Sequence, residues 1–419
     1  MSARHPNTAL HAALAAATDD RIVFDLGGIR GQYESLTWEL PGVDIRFAMK
    51  ACPVDEVLGC LAEQGAGFDA AGPSEIVRAI ATGVPAGRIH YGNTIKSDRN
   101  IADAYRLGVR DFATDSTEDV AAIAAHAPGS RVFCRLATSG EGALWGLSKK
   151  FGCSGADAVR VLEAARDAGL TPAGLSVHVG SQQMTAEAWE GAFASISGVL
   201  AALRDRGIRP DHVNLGGGLP ALGYLDSRGT PLEPPMDKIF AAIREGMRQL
   251  RTVSGTPLDF VMEPGRHLVA DHGAIRAHVA RLSTREQLNG ERQHWLYLSC
   301  GKFNGLYEMD QLQYRLAFPS HPEAATVPAV VAGPTCDSDD AYAHAHRLVQ
   351  VPEGVASGDP VWVLSSGAYA TSYATQGFNG FSPLPYTVVD GPASAAGASG
   401  AGAVPAGQAA AGTSTKGLP

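Results

Sequence analysis

The chain has 419 residues, of which 45% are hydrophobic and 18% charged, a composition typical of a soluble globular protein that excludes collagen, a coiled coil and wholesale disorder. Its 34 basic and 43 acidic residues leave a net charge of −9, so the basic face of a nucleic-acid-binding protein is not expected. This length predicts two or three domains.

The cysteines and the apolar runs indicate the cellular compartment of the protein. The six cysteines lie far apart and form no C-x-x-C pair, which favours free thiols in a reducing compartment over disulfides or a zinc site. No apolar run approaches the roughly 18 residues that span a bilayer, and the N-terminus lacks the apolar core of a secretory signal. We therefore expect a cytoplasmic protein that binds no metal, no membrane and no nucleic acid.

In chain order, an N-terminal segment (residues 1–42) precedes a long region with a regular rhythm. From residue 43 to 266, short apolar runs alternate with longer amphipathic runs, such as the helical spacing of Val54, Val57, Leu58 and Leu61. The predicted strands are 45–49, 66–70, 89–92, 111–114, 132–137, 175–179, 212–215 and 260–262. Eight strand–helix units predict a (β/α)8 TIM barrel, and rhythm alone leaves an open doubly wound sheet as the alternative.

The texture of the chain changes again after the predicted barrel. Residues 267–390 hold short runs rich in β-branched and aromatic residues, bounded by Gly, Pro, Asp and Ser, which predict a mostly β domain, a barrel or a sandwich. We expect part of the N-terminal segment, through 22–24 and 33–36, to join this domain. Residues 391–419 carry one charge, Lys416, and almost no large apolar residue, which predicts a disordered tail.

Polar residues stand at or near the ends of most predicted barrel strands. Catalytic groups of a TIM barrel collect at the carboxyl ends of its strands, so we expect these residues to share one site. They are Lys50, Asp69, Asn93, Arg135, His178, the triple glycine Gly216 to Gly218, and Glu263 followed by Gly265 and Arg266.

Three of these features favour one chemistry. The apolar residues just before Lys50 predict a desolvated amine with a lowered pKa, which favours reaction with a carbonyl group. The triple glycine allows backbone N–H groups to approach a phosphate, and Glu263 could face a ring nitrogen. These are the parts of a site for pyridoxal 5'-phosphate (PLP), whereas the lack of a G-x-G-x-x-G motif argues against a dinucleotide.

Several motifs resemble those of the PLP-dependent ornithine/diaminopimelate/arginine decarboxylase family. The resemblance covers about residues 20–390, is closest to the bacterial ornithine/lysine decarboxylases, and implies the alanine-racemase-like fold, a (β/α)8 barrel followed by a β domain. It is carried by segments 47–50, 65–76, 178–181, 215–218, 263–266, 333–337, 367–369 and 378–381.

The resemblance implies a role for each matching residue around the cofactor. Lys50 would hold PLP covalently, Glu263 would face the pyridine nitrogen and His178 would stack on the ring. The other cofactor contacts would be Asp69, Arg135, Ser181, Gly217, Gly218, Gly265, Arg266 and Tyr369.

The resemblance also implies a substrate site shared between the two subunits of a homodimer. Cys336, from the partner subunit, would return a proton to Cα, and Asp337 beside it would pair with a distal ammonium. Glu308 is expected as a second contact to that ammonium, with Asp310 behind it, and Phe378 as a further substrate contact. The predicted reaction is decarboxylation of a basic L-amino acid, ornithine to putrescine or lysine to cadaverine.

Other readings stay open at this stage. Ornithine and lysine are not distinguished, and arginine, diaminopimelate or a secondary-metabolism substrate would use the same chemistry. Diaminopimelate is disfavoured because its distal carboxylate would be repelled by Asp337. A racemase on the same barrel would need a second catalytic base, and a catalytically inactive regulatory homologue would not need the catalytic set that includes Lys50, His178, Glu263 and Cys336.

Overall fold

The computed structural model describes residues 8–146, 149–342 and 348–391. It confirms the predicted fold class, because a closed barrel of eight parallel strands with surrounding helices is joined to a mostly β region. The open doubly wound sheet is thereby excluded. Apart from Gly391, the predicted tail lies outside the described residues, and the domain boundaries at 42, 266 and 390 stay predictions.

The N-terminal segment contains one strand between two helices. Helix α1 (Thr8–Ala16), strand β1 (Arg21–Asp25) and helix α2 (Leu26–Glu39) follow one another. The run 22–24 thus forms a strand as expected, but 33–36 lies in α2 and not in a strand. The reason is the spacing of Tyr33 and Leu36 from Ile29, four and seven residues on, which buries all three on one helix face.

Each of the eight predicted barrel strands is present, and their ends meet at one mouth. The strands of this region are β2 (Val43–Ala48), β3 (Gly67–Ala70), β4 (Ile89–Tyr91), β5 (Asp111–Thr114), β6 (Arg131–Arg135), β7 (Ala143–Trp145), β8 (Thr171–Ser176), β9 (Ser181–Gln183), β10 (His212–Asn214) and β11 (Asp259–Met262). The closed order is β10–β11–β2–β3–β4–β5–β6–β8, with every pair parallel, while β7 and β9 form a separate antiparallel pair. Because β8 ends at Ser176, His178 lies just beyond its strand and not within it.

The crossover helices cover the outer face of the barrel. They are α3 (Asp55–Glu63), α4 (Pro73–Ala81), α5 (Asp98–Arg106), α6 (Thr117–His126), α7 (Gly155–Asp167), α8 (Glu187–Arg204), α9 (Met236–Ser254) and the short α10 (Arg266–Val269). In α9, Ile239, Ile243, Met247 and Leu250 are buried at helical spacing, which gives the helix one apolar face toward the barrel. Strand residues such as Phe47 are buried beneath these helices.

The region after the barrel forms one eight-stranded sheet with β1. Its strands are β12 (Gly273–Glu286), β13 (Arg292–Leu298), β14 (Leu316–Ala317), β15 (Thr326–Ala332), β16 (Val349–Pro352), β17 (Pro360–Val363) and β18 (Tyr386–Val389). Their order is β14–β17–β12–β13–β15–β16, and β1 pairs antiparallel with β12 and parallel with β18. Strand β1 of the N-terminal segment therefore lies in the same sheet as the strands that follow the barrel.

The helices also bear on the question of a membrane. Within the described ranges, no helix combines the length and the apolar character needed to cross a bilayer.

Strand β4 ends at the barrel mouth, and one lysine with a buried side chain holds the loop that follows it. Lys96 is completely buried, and burial lowers the pKa of its amine although Asp119 opposes that shift. Its Nζ donates hydrogen bonds to the carbonyl oxygens of Asn93 (3.1 Å), Thr94 (3.4 Å) and Ala113 (2.7 Å) and to Asp119 Oδ2 (2.7 Å). This single amine therefore ties the loop to β5 and α6.

We expect Lys96→Met to lower the free energy of unfolding by about 3–5 kcal/mol, because the change leaves Asp119 buried without its partner. Urea denaturation of both proteins measures the loss. The control is Arg99→Ala on α5, whose ion pair with Asp103 is exposed and is worth about 1 kcal/mol or less. Equal losses in the two variants would contradict this role of Lys96.

Candidate active site

The amine predicted to react with a carbonyl group lies at the barrel mouth. Strand β2 ends at Ala48, and Lys50 follows in a single turn of 3-10 helix with 52% of its side chain exposed. Its Nζ lies 3.6 Å from Oδ2 of Asp69, which is buried on the neighbouring strand β3. Ala48 and Asp69 are register partners, so the pairing of β2 with β3 places this amine beside this carboxylate.

The charge state of Lys50 differs from the sequence-based expectation. Burial alone would lower the pKa of the Lys50 amine, but Asp69, Tyr369 and Glu263 outweigh it and raise the pKa above its usual value. Burial and the nearby charge of Glu263 raise the pKa of the Asp69 carboxyl, with Lys50 opposing. The lowered pKa predicted for Lys50 from its apolar neighbours is therefore wrong, because its amine forms an ion pair with the Asp69 carboxylate.

Glu263 follows the last barrel strand and is held by two other strands. One of its oxygens, Oε1, accepts a hydrogen bond from the amide of Asn214 on β10 and lies 3.3 Å from Nδ1 of His90 on β4. Sequence reasoning missed both of these residues. In both cases the available signal was a polar side chain inside a short apolar strand, His90 in β4 and Asn214 in β10.

The triple glycine forms the turn after β10. Gly216 and Gly218 have φ angles of +65° and +108°, and a Cβ at 216 would collide with the carbonyl oxygen of Val177. A Cβ at Gly217 would lie 2.8 Å from the carbonyl oxygen of Glu263. Among the described residues, the N–H groups of Gly217 and Gly218 have no hydrogen-bond partner, so this turn presents free donors in a space that only glycine leaves open.

His178 lies against this turn as a neutral ring. Burial, with Arg135 and Lys50 nearby, lowers the pKa of His178 to about 3. Its Nδ1 accepts a hydrogen bond from the N–H of Gly180 (3.1 Å), so the single ring proton is on Nε2. The hydroxyl of Thr138 donates to the backbone carbonyl of His178 (2.6 Å), which fixes the loop on which the ring stands.

Arg266 is the first residue of α10 and is buried. Both of its terminal nitrogens donate to the carboxylate of Glu308, with Nη2 at 2.6 Å from Oε1. Burial alone would lower the pKa of Arg266, but the charge of Glu308 outweighs burial and raises that pKa. Nη1 also donates to the Tyr224 hydroxyl (3.2 Å) and Nη2 to that of Ser181 (3.3 Å). The buried Nε has no hydrogen-bond partner within the described part of the chain.

The position of Glu308 corrects one sequence-based expectation. Glu308 was expected to contact the distal ammonium of a substrate, but both of its oxygens are bound by Arg266 in the interior. Because a bidentate arginine occupies the carboxylate, this residue holds Arg266 and not the far end of a substrate. The sequence could not show this, since Glu308 lies far along the chain from its partner.

Aromatic rings surround the Arg266 guanidinium. Its Cζ lies 4.7 Å from the ring centre of Trp145, 5.7 Å from that of Tyr224 and 4.9 Å from that of Tyr369. Tyr369 has a φ of +64°, unusual for a bulky residue, and its N–H donates to the carbonyl of Ala51 (2.7 Å). The β region is thereby attached directly beside Lys50. Trp145 and Tyr224 are further residues that the sequence analysis missed.

The structure brings most of the predicted cofactor residues into one pocket. Its lining consists of Ala48, Lys50, His178, Ser181, Gly217, Gly218, Leu219, Glu263, Gly265, Arg266 and Tyr369. Asp69 lies 3.6 Å from the Lys50 amine. The guanidinium of Arg135 on β6 lies 5.2 Å from the ring centre of Phe151, and burial lowers the pKa of Arg135. A larger groove on the outer surface between α3 and α4 contains none of these residues.

The residues predicted to act on the substrate do not line this pocket. Cys336 is exposed, and its backbone N–H donates to the side-chain oxygen of Asn379 (2.9 Å). The ring of Phe378 packs on Phe303 with 4.7 Å between centroids. Within one chain, Cys336 and Phe378 are exposed, Asp337 is partly buried, and none of the three lines the pocket that contains Lys50.

The residues in the pocket fit PLP. The aldehyde of PLP can react with the amine of Lys50. A protonated pyridine nitrogen is stabilised by a carboxylate, and Glu263 offers one whose Oε2 has no protein partner in the described chain. A phosphate requires donors, and the glycine turn and the unpartnered Arg266 Nε offer them. Asp69 Oδ1 is also buried without a partner, so the site contains polar atoms that the protein alone leaves unsatisfied.

Comparisons with known proteins agree with this fit. The sequence model "Pyridoxal-dependent decarboxylase, pyridoxal binding domain" matches residues 26–270. The lysine/ornithine decarboxylase of Selenomonas ruminantium is 29% identical over 374 residues, covering 88% of this chain and 89% of the relative.

Two solved structures are also similar. Lysine decarboxylase of S. ruminantium with PLP and cadaverine has a TM-score of 0.79 at 26% identity, covering 93% of this chain and 95% of that chain. Lysine/ornithine decarboxylase of Vibrio vulnificus with putrescine has a TM-score of 0.77 at 28% identity, covering 90% and 96%.

We expect Gly216→Ala to weaken PLP binding about tenfold or more and to cost about 1–2 kcal/mol of stability, because alanine disfavours a positive φ and its Cβ would displace the turn. Fluorescence titration with PLP and thermal unfolding of the apoprotein measure the two effects. Gly191→Ala, on the exposed face of α8, is the control, since its Cβ meets nothing within 4 Å. Unchanged PLP affinity in Gly216→Ala would contradict the assigned role of the turn.

Proposed function

Because the chain belongs to the pyridoxal-dependent decarboxylase family and is a PLP-dependent amino-acid decarboxylase, we propose that its substrate is a basic L-amino acid, ornithine first and lysine second. The observation that carries this proposal is the meeting of the Lys50 amine, the Glu263 carboxylate and the glycine turn in one barrel mouth. The choice of a basic substrate is supported by the names of the relatives and by the putrescine and cadaverine bound in the similar structures.

We propose the following division of work among the residues of the pocket. PLP, when bound, supplies the electron sink into which the bond to the departing carboxylate releases its electrons. Lys50 would hold the cofactor, and Asp69, 3.6 Å from the Lys50 Nζ, would orient the amine. Glu263 would keep a proton on the ring nitrogen, and neutral His178 would lie against the ring without adding a competing charge.

The phosphate is proposed to lie at the glycine turn. The free N–H groups of Gly217 and Gly218, with Gly265 and the hydroxyls of Ser181 and Tyr369, are its expected donors. Arg266 contributes its Nε–H and its positive charge, because Glu308 already occupies its two terminal nitrogens. Arg135, placed near Asp69 and Glu263, is proposed to lie beside the ring hydroxyl.

We propose that the active unit is a homodimer whose partner subunit supplies Cys336 and Asp337. Neither residue lines the pocket of its own chain, and Cys336 is exposed. A group of large apolar side chains on the same region of the chain is also exposed: Tyr307, Tyr373, Phe378 and Phe381 are between 36% and 47% accessible. Such a surface is typical of a subunit interface.

With Glu308 bound to Arg266, Asp337 of the partner subunit is the proposed acceptor for the distal ammonium. Cys336, next to it, is proposed to return the proton to Cα so that an amine leaves the site, and Phe378 is proposed as a wall for the substrate chain. A cytoplasmic location is also proposed, supported by the absence of any disulfide among the six cysteines, all of which are described.

For the reaction, we expect CO2 release from ornithine and lysine and far less from arginine or diaminopimelate when the four are assayed in parallel. Lys50→Ala should abolish release and the visible absorbance of bound PLP, because the cofactor loses its covalent attachment. Lys238→Ala, an exposed lysine of α9, is the matched control and should behave as the wild type. Inactivity of the wild type on all four amino acids would overturn the proposed substrate class while leaving PLP binding intact.

For the shared site, we expect Lys50→Ala and Cys336→Ala subunits, each inactive or misdirected alone, to regain about a quarter of wild-type amine formation after random remixing, because one site of each mixed dimer is intact. Product amine is measured before and after mixing. No gain, with mixed dimers demonstrated by mass spectrometry, would show that both residues act within one subunit.

A further inference from the structure

The carboxylate of Glu263 is held on one side. Its Oε1 receives the amide N–H of Asn214 and lies 3.3 Å from Nδ1 of His90, whereas Oε2 has no hydrogen-bond partner in the part of the chain that the structure describes. We propose that His90, together with Asn214, is a positioning residue that fixes the Glu263 carboxylate so that Oε2 faces the ring nitrogen of PLP. This inference rests on the proposed role of Glu263.

The contact defines the state of the His90 ring. A carboxylate oxygen only accepts hydrogen bonds, so the Nδ1 of His90 must be the donor. The side chain of His90 is 1% exposed, and burial lowers its pKa well below the usual value, so the ring is neutral and carries one proton. That proton is therefore on Nδ1, and the bond to Glu263 selects this tautomer.

Neutral donors suit this position because they hold an oxygen without cancelling its charge. A lysine or arginine at either position would form an ion pair with Glu263 and compete with a protonated ring nitrogen for the same negative charge. The imidazole of His90 and the amide of Asn214 carry no net charge. Hydrogen bonds from these two groups, on β10 and β4, therefore set the orientation of the Glu263 carboxylate without forming an ion pair with it.

The surroundings of His90 allow it little movement. It is the register partner of Asp69 on β3, and its ring lies 4.8 Å from the ring centre of Phe133 on β6 and 6.0 Å from that of His212 on β10. Asn214 is tied as well, because its side-chain oxygen accepts the N–H of Gly216 at 2.8 Å. One amide thereby links the Glu263 carboxylate to the first residue of the glycine turn.

The test uses three substitutions at His90 that differ in where they place a donor. His90→Asn sets an amide N–H near the position of Nδ1, His90→Gln sets it near Nε2, and His90→Leu removes the donor. All three remove the imidazole, so a general packing loss affects each of them. Glu263→Gln, which neutralises the carboxylate, is measured beside them as the reference.

We expect His90→Leu and His90→Gln to lower kcat by about tenfold to a hundredfold, the range for losing one hydrogen bond to a charged group, with little change in KM. The absorbance spectrum of bound PLP should shift in the direction seen for Glu263→Gln, and PLP affinity, measured by equilibrium titration of the apoprotein, should fall. His90→Asn should recover kcat, spectrum and affinity in part.

The inference is overturned if His90→Leu retains the wild-type spectrum, affinity and kcat, or if His90→Asn is no better than His90→Gln. Should His90→Leu fail to fold, the comparison of Asn with Gln decides alone. The Glu263→Gln variant distinguishes failure of this inference from failure of the proposed function. If Glu263→Gln is unaffected, the proposed role of Glu263 itself is refuted. If Glu263→Gln is impaired and His90→Leu is normal, only the role of His90 is refuted.

Discussion

Closure of the barrel is the constraint on which the site depends. The last strand, β11, runs beside the first, β2, with Phe260 opposite Val43 and Met262 opposite Ile45. The N–H of Ala48 at the end of β2 then donates to the carbonyl of Pro264 (3.1 Å), so the end of β2 is bonded to the loop that follows β11. Lys50 and Glu263, about two hundred positions apart in the sequence, face one pocket because of this pairing.

The β region completes the site. It contributes Glu308, which binds Arg266 of the barrel, and Tyr369, whose backbone bonds to Ala51 in the turn that carries Lys50. A buried arginine without its carboxylate would be an uncompensated charge, so the two regions are coupled through the stability of this pair. Strand β1 of the N-terminal segment and β18 near the end of the described chain enter the same sheet as β12.

The charges in the pocket are arranged so that each one has a separate task. Asp69 lies beside Lys50, Glu308 is bound by Arg266, and the hydrogen bonds that the Glu263 side chain accepts from the described residues come from the neutral side chains of Asn214 and His90. His178 stays uncharged between these groups because burial and its cationic neighbours oppose a second ring proton. The negative charge of Glu263 is thus available to a ring nitrogen, which is what a cofactor acting as an electron sink requires.

Features set by the local sequence were predictable, whereas contacts set by a distant partner were not. The glycine turn, the strand-end position of Lys50 and the rhythm of strands and helices are local features, and the structure places each of them as expected. His90 and Asn214 were missed because parallel barrel strands are buried on both faces, so a polar residue within such a strand carries no mark of the direction in which it points. Glu308 was assigned to the wrong charge for a similar reason, since its chain position does not show which cation it faces.

The sequence by itself determined the barrel, the β region after it and the set of residues that could hold PLP, because periodicity and strand-end chemistry are properties of neighbouring residues. The tertiary structure alone decided which acid lies beside which base: Asp69 lies beside Lys50, Glu308 binds Arg266, and Glu263 accepts a hydrogen bond from Asn214 and lies against His90. Electrostatic pairing depends on distances across a closed barrel, and such distances are set only when strands far apart in the chain come into register.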